Sequence, residues 1–280
     1  MKISAMLTVV ASAAILSLAF TSCSDDSNDE PSAKEVKILV TKQETKVNYR
    51  DERAPQSLPE GEYDVSEIIY DAKGYITEWW SNNECAVRYT YSEGKIHADD
   101  VEYGYFDHML SPEGKVVETV YADNRKDKFV YDSEGQCVAL IAGGTKPKFR
   151  SAHYEWTDGQ MTRMKWDEQK FGNIDITYSD IPKKSNGAYT RALLLNYGGY
   201  FMNLEMLGNL NISSEKYLPQ KAIWITGDGV IRIFEATYDL NPDGTVKTMH
   251  VTLNDGWVSE SERFLLCDCD ITFTYKEYRP

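Results

Sequence analysis

The sequence predicts an all-β body: an antiparallel up-and-down meander of β-hairpin repeats forming a curved sheet or a barrel-like wall. Three observations carry this. Apolar residues recur at spacing two, as at Tyr89 and Tyr91 or Phe129 and Tyr131, which is the period of a half-buried strand and not of a helix. Polar turns with a glycine recur at 74, 94, 114, 135 and 159, so successive glycines stand 20, 20, 21 and 24 residues apart. Each turn follows an aromatic strand and precedes a β-branched one, the pattern of a hairpin. Two strands of about six residues with two turns fill about twenty residues, so one repeat is one hairpin and consecutive repeats make the meander.

The chain starts differently. After Lys2 comes an apolar stretch from Ile3 to Phe20, then Thr21-Ser22-Cys23. A short charged start, an apolar run and small residues at the end make residues 1–22 a signal peptide. A cysteine placed there resembles a bacterial lipobox, in which the thiol is acylated, and lipidation at Cys23 would anchor the mature chain to a membrane. Ser24 to Glu30 holds four acids and no apolar side chain, so it cannot bury itself. It resembles the acidic tract that directs Bacteroidetes lipoproteins to the outer face of the outer membrane. Residues 23–60 therefore read as a lipid-anchored acidic linker, largely disordered with room for an early strand, and 61–280 as a single β-meander domain.

Within that domain the clearest units run Tyr70-Asp71-Ala72-Lys73-Gly74, Tyr91-Ser92-Glu93-Gly94 and Tyr131-Asp132-Ser133-Glu134-Gly135. Asp or Ser opens such a turn by bonding to the backbone ahead, and glycine takes the left-handed position. Looser copies end at Gly114, Gly159 and Gly244. The pattern breaks between 180 and 222, where an irregular or helical insertion around 185–215 is expected. Strands resume after Pro219 and close with Ile271-Thr272-Phe273-Thr274-Tyr275.

Taken with the lipobox, these turns, the segment Met206 to Pro219 and the final Thr272-Phe273-Thr274-Tyr275 strand resemble a Bacteroidetes family of outer-membrane lipoproteins of unassigned function. The resemblance implies a porin-like β fold and brings no catalytic residues. The family's Ser-Lys-x-Leu-Pro sequence is interrupted here by Glu215 between Ser214 and Lys216. A weaker resemblance is to the tyrosine-aspartate repeats of large secreted shell proteins.

Charge narrows the partners. With 44 acidic and 30 basic residues the net charge is −14, which disfavours nucleic acid and anionic lipid surfaces. Beyond Cys23, Cys85, Cys137, Cys267 and Cys269 remain, and export permits disulfides without requiring them. Cys267 and Cys269 share a strand face with no His nearby in sequence, so they read as buried apolar side chains or as half of a pairing between distant strands.

Motifs for chemistry are weak. Asp239, Asn241 and Asp243 with Gly244 match the opening of a calcium loop, but the twelfth position, which wants a bidentate Glu, holds His250. His97, His108, His153 and His250 show no metal spacing, and no nucleophile elbow or dinucleotide fingerprint is present. No cofactor is expected. The best candidates for binding are aromatic: Trp79, Trp80, Trp156 and Trp166, flat rings beside acids and amides that suit stacking on sugars, against the alternative that they cover a thin sheet. The leading expectation is a noncatalytic surface lipoprotein, a binding or scaffold module facing the exterior and meeting a glycan or an envelope protein. The alternative is a glycoside-type hydrolase with two carboxylates on the concave face, at least one with a raised pKa.

Overall fold

The computed structural model describes residues 36–54, 63–102, 104–144, 151–195, 216–256 and 263–279. Sixteen strands follow one another in the chain: β1 (Lys37–Arg50), β2 (Tyr63–Tyr70), β3 (Ile76–Ser81), β4 (Glu84–Ser92), β5 (Lys95–Asp100), β6 (Gly104–Leu110), β7 (Val116–Tyr121), β8 (Lys126–Tyr131), β9 (Cys137–Ile141), β10 (Ala152–Thr157), β11 (Gln160–Trp166), β12 (Asn173–Pro182), β13 (Tyr217–Ile225), β14 (Ile231–Leu240), β15 (Val246–Gly256) and β16 (Phe264–Tyr278). Each pairs antiparallel with its neighbours, and β1 pairs with β16 from Lys37↔Tyr278 to Arg50↔Cys267, so the meander closes into a barrel. The predicted meander is therefore a closed one, and β1 belongs to it although it falls within the stretch read as linker. Cys23 and the signal peptide lie outside the described residues, as does most of the 185–215 insertion.

The repeat explains the closure. In the turns after β2 and β8, Asp71 Oδ1 accepts the amides of Lys73 and Tyr75, and Asp132 Oδ1 accepts those of Glu134 and Gln136, all at 2.8–2.9 Å. The glycine that follows sits at φ +80° in one and +79° in the other, where a side chain is strained. Just beyond the turn one residue is skipped in the register: Thr77, Val117, Val138, Thr162 and Lys247 each stand opposite no partner. Such bulges bend and twist a strand, and placed at one level around a sheet they curl it toward closure.

Near the ends of six even-numbered strands an aromatic residue donates to a backbone carbonyl on the preceding strand: Tyr70 to Val40, Tyr131 to Val116, Trp156 to Cys137, Tyr178 to Met161, Tyr238 to Pro219 and Tyr275 to Val246. Four of these acceptors, Val116, Cys137, Met161 and Val246, lie two residues past the previous turn's glycine. Strand pairs are thus stitched along one rim by Tyr O–H and Trp N–H groups that burial obliges to find a partner. Replacing Trp156 with phenylalanine removes one stitch while keeping the ring, and is expected to cost about 1 kcal/mol, read as a shift in urea midpoint at unchanged slope.

Most inward positions are apolar. Ile96, Val116, Cys137, Ile174, Phe234, Met249, Val251 and Leu253 are fully buried and belong to one continuous core. Outward positions carry charge in register: Glu78 with Arg88 at 3.3 Å, Arg163 with Asp175 at 2.5 Å and Lys221 with Glu235 at 3.0 Å. The core enters the barrel partly from its own chain. After β12, residues 183–188 and a short helix α1 (Tyr189–Leu193) leave the wall, and α1 packs on β13 and β14. Asn186 reaches β1 and β2, accepting the Val40 amide at 2.8 Å and donating to the Ile38 carbonyl and Tyr70 Oη. The Tyr189 ring meets Phe273 edge-on, and the Arg191 guanidinium lies 4.7 Å from the Trp79 ring. Since β13 to β16 separate β12 from β1, this segment spans the interior and plugs it. The helical part of the predicted insertion is this plug.

Candidate functional site

The four tryptophans proposed for sugar stacking are half-buried, each occupied within the fold. Trp79 packs on the core beneath Arg191. Trp80, on the opposite face, donates to Glu78 Oε2 at 2.7 Å. Trp156 is the stitch to Cys137, and Trp166 lies against Trp224 with ring centroids 5.9 Å apart, while Trp224 donates to the Phe171 carbonyl. The adjacent pair Trp79 and Trp80 divides between core and wall as alternation requires.

The calcium candidate is taken up by its own turn. Asp243 Oδ1 accepts the Thr245 amide and hydroxyl at 2.9 and 2.7 Å, and Asn241 donates to the same hydroxyl at 3.0 Å. Asp239 points along the wall to His250 Nε2 at 3.2 Å. The three oxygens converge on no common point, and among the described residues no cluster of three or more His, Cys, Asp and Glu can hold a metal ion. Cys85, Cys137, Cys267 and Cys269 are all free thiols, with Cys137, Cys267 and Cys269 buried.

Alternation brings together two groups of polar residues that the sequence reading did not connect. The first lies inside. On β8 the inward face is Asp127, Phe129 and Tyr131, so a carboxylate enters the core. Asp127 receives Arg125 Nη1 on both oxygens at 2.9 and 3.0 Å, Tyr121 Oη at 2.7 Å and the Gly143 amide at 3.0 Å. The guanidinium carbon lies 3.3 Å from the Tyr121 ring centroid. Gly143 is pressed on Lys126, whose carbonyl oxygen would stand 1.9 Å from an added Cβ. Nearby, His108 is buried against Phe106 and shares a 2.8 Å hydrogen bond with Thr119 Oγ1, and burial pushes its pKa down to about 3. The period-two pattern of Asp127 with Phe129 was the available signal, hidden within the charged run Lys126-Asp127-Lys128.

A second group lies outside. His250 is gripped between Asp270 at 2.5 Å and Asp239 at 3.2 Å, and hydrogen bonds to these two carboxylates raise its pKa. His97 stands between Asp107 at 2.6 Å and Asp99 at 3.4 Å. In both, the imidazole occupies the centre where a metal would sit, so these are cross-strand clasps of the wall.

A hydrolase would need two neighbouring carboxyls with divergent pKa values. Among the described residues Asp127 is the buried carboxylate, and its neighbour is a guanidinium. The carboxyls that depart from their ordinary values, Asp51, Glu78, Asp107, Glu113, Asp228, Asp243 and Asp270, are all lowered, by hydrogen bonds and nearby cations. Among the described residues the space beside the plug is small. The cavity between Val40, Tyr70, Asn186, Arg191 and Phe273 measures about 20 Å³, room for one water.

Solved structures share this architecture. A porin-like protein from Bacteroides uniformis ATCC 8492 superposes with a TM-score of 0.60 at 14% identity, over 85% of this chain and 98% of that one. A porin-like protein from Bacteroides vulgatus ATCC 8482 gives 0.54 at 16% identity, over 86% and 99%. The fold is porin-like. At these identities the likeness concerns the fold alone, and no family profile or curated protein matches the sequence. The wall chemistry runs opposite to that of a membrane-spanning barrel. Such a barrel shows lipid an apolar band about 25 Å tall around a polar lumen. Here the outward residues of mid-strand include Lys42, Glu44, Glu67, Glu78, Arg88, Arg163, Asp175 and Glu235, and the inward ones are mostly aliphatic and aromatic. A Lys or Arg at the bilayer midplane costs about 2–4 kcal/mol, and Lys42, Arg88 and Arg163 are three such outward cations.

Proposed function

We propose that the protein is a lipid-anchored display module of the bacterial outer membrane, a noncatalytic barrel held beside the bilayer through Cys23 and offering its surface to a glycan or an envelope protein. The observation that supports the reading is the inverted wall: charge faces out and the interior is mostly apolar and occupied by the α1 segment, which favours a barrel that neither spans a membrane nor conducts. A body of that kind reaches a membrane only through something attached to it, and the sequence supplies a lipobox. The likeness to Bacteroides porin-like structures supports surface association, and the quoted turn and strand motifs support kinship with the Bacteroidetes lipoprotein family. The acidic run after Cys23 supports an outward-facing orientation.

The test is fractionation of cells carrying the full chain. Wild-type protein is expected to incorporate labelled palmitate and partition with detergent, and Cys23→Ala to lose the label and appear in the aqueous fraction. Retention of Cys23→Ala in alkali-washed membranes would overturn the reading, as would channel conductance by the purified protein in planar bilayers.

A further inference from the structure

We propose that Cys267 and Cys269 form a buried two-thiolate site for a soft, two-coordinate cation, with Cu(I) as the ion that fits its chemistry. The site lies in the barrel wall and owes nothing to the anchor at Cys23, so the two readings stand or fall separately.

The pair sits where the barrel closes. Cys267 and Cys269 are each 1% exposed and belong to the continuous core, and Asp268 between them takes the other face of the strand. On β15 their partners are Leu253 and Val251, both fully buried, and on β1 they are Arg50 and Val47. Two irregularities flank the pair. The register skips Asn48 on β1, opposite the step from Asp268 to Cys269, and skips Leu266 on β16 against β15. Leu266 and Cys267, though consecutive, are both buried as a result. Bulges bend and twist a strand, and at this place the two thiols meet: they hydrogen-bond to each other, and Cys269 Sγ also lies 3.8 Å from the Val251 carbonyl oxygen.

Geometry then selects the chemistry. Strand residues two apart stand about 6.6 Å from each other along the backbone, whereas a disulfide needs its Cβ atoms about 4 Å apart. A direct bond would strain the strand. An interposed cation does not: two metal–thiolate bonds of about 2.3 Å laid end to end hold two sulfurs about 4.6 Å apart, a span that two side chains leaning together on one strand face can meet. The choice of cation follows from the other donors. Zinc wants four ligands, and among the described residues no group of three or more His, Cys, Asp and Glu is placed to supply them. Calcium and magnesium want oxygens, and the inward neighbours Val47, Val251, Leu253 and Leu266 offer none from their side chains. Two thiolates in a dry place select a soft cation, and Cu(I) accepts two sulfurs in a line. Binding exchanges two S–H bonds for two S–Cu bonds and releases two protons, with no change of oxidation state. The product carries one negative charge, which Arg50, opposite Cys267, offsets and which Asp268 and Asp270 oppose. Cys267 is three residues from Phe264, the exposed first residue of β16, so local opening of that strand end is the way in.

The experiment uses the full chain, reduced and kept free of oxygen, mixed with one equivalent of Cu(I) and then with bicinchoninate, a chelator that draws copper away from single thiols. After desalting, wild type is expected to retain one copper ion per chain and Cys85→Ala the same, while Cys267→Ala and Cys269→Ala retain none, with far-ultraviolet circular dichroism verifying that the variants keep the barrel. X-ray absorption at the copper edge of loaded wild type, which needs no variant to fold, is expected to show two sulfur neighbours and no nitrogen or oxygen. Loss of all copper from wild type to the chelator, full retention by either single variant, or nitrogen and oxygen ligands around the ion would each overturn the site.

Discussion

Replacing Asp127 with alanine is expected to cost about 3–5 kcal/mol of folding stability, the range for breaking a buried ion pair by removing one partner. The carboxylate accepts from Arg125, Tyr121 and the Gly143 amide, and its loss takes the paired anion from a guanidinium that is only 8% exposed. The cost comes from the desolvated cation more than from the lost attraction. A second variant separates the two: Arg125→Met with Asp127→Leu replaces the pair by apolar groups of similar volume, which such sites often tolerate at little cost. Urea denaturation of both, followed by far-ultraviolet circular dichroism, checks the prediction. A loss below about 1 kcal/mol for Asp127→Ala, the scale of an exposed pair, would mean that water reaches the site.

How much of this was legible in the sequence depends on the range of the interaction. The turns were, because an Asp or Ser and a glycine three residues apart act on their own backbone, and Asp71 and Asp132 cap their hairpins identically. Strand alternation was legible for the same reason, and with it the division of Trp79 from Trp80. Closure was not. β1 meets β16 some 230 residues away, and nothing in the alternation of Lys37 to Arg50 announces a partner. The role of Trp156 was hidden too, since its acceptor is a backbone carbonyl and no side-chain pattern marks a carbonyl. That single hydrogen bond moves the residue from a sugar-stacking candidate to a fastener of the rim. Function sits further from the sequence for a related reason: the repeat's motifs are all devices for making a wall, and the wall's inversion appears only when inward and outward faces are assigned together.

Lowering the pH from 6.5 to 4.5 is expected to remove about 2 kcal/mol of stability through His108 alone, at up to about 1.4 kcal/mol per pH unit. Burial holds its folded pKa at about 3, below the ordinary value of 6.5. The unfolded chain therefore takes up the proton first as the pH falls. A depressed histidine contributes its full stability above pH 6.5 and loses it progressively down to the folded value, so the window runs from about 6.5 to about 3. Two other sets of groups bear on it. The lowered carboxylates, such as Asp107 and Asp270, act near and below their ordinary values of 3.8, so the upper part of the window belongs to histidine. His250, raised by Asp270 and Asp239, has the opposite sign: its contribution is complete below pH 6.5 and fades as the pH rises through its folded value. Because it is nearly half exposed, solvent screens it and the buried residue dominates. Comparing wild type with His108→Gln, which keeps a polar group for Thr119 and cannot ionise, isolates the effect. Urea midpoints of the two should converge as pH falls toward 4.5, the variant staying flat where the wild type declines. Parallel profiles across that range would show that His108 is wet, and that the barrel's interior is open where the structure closes it.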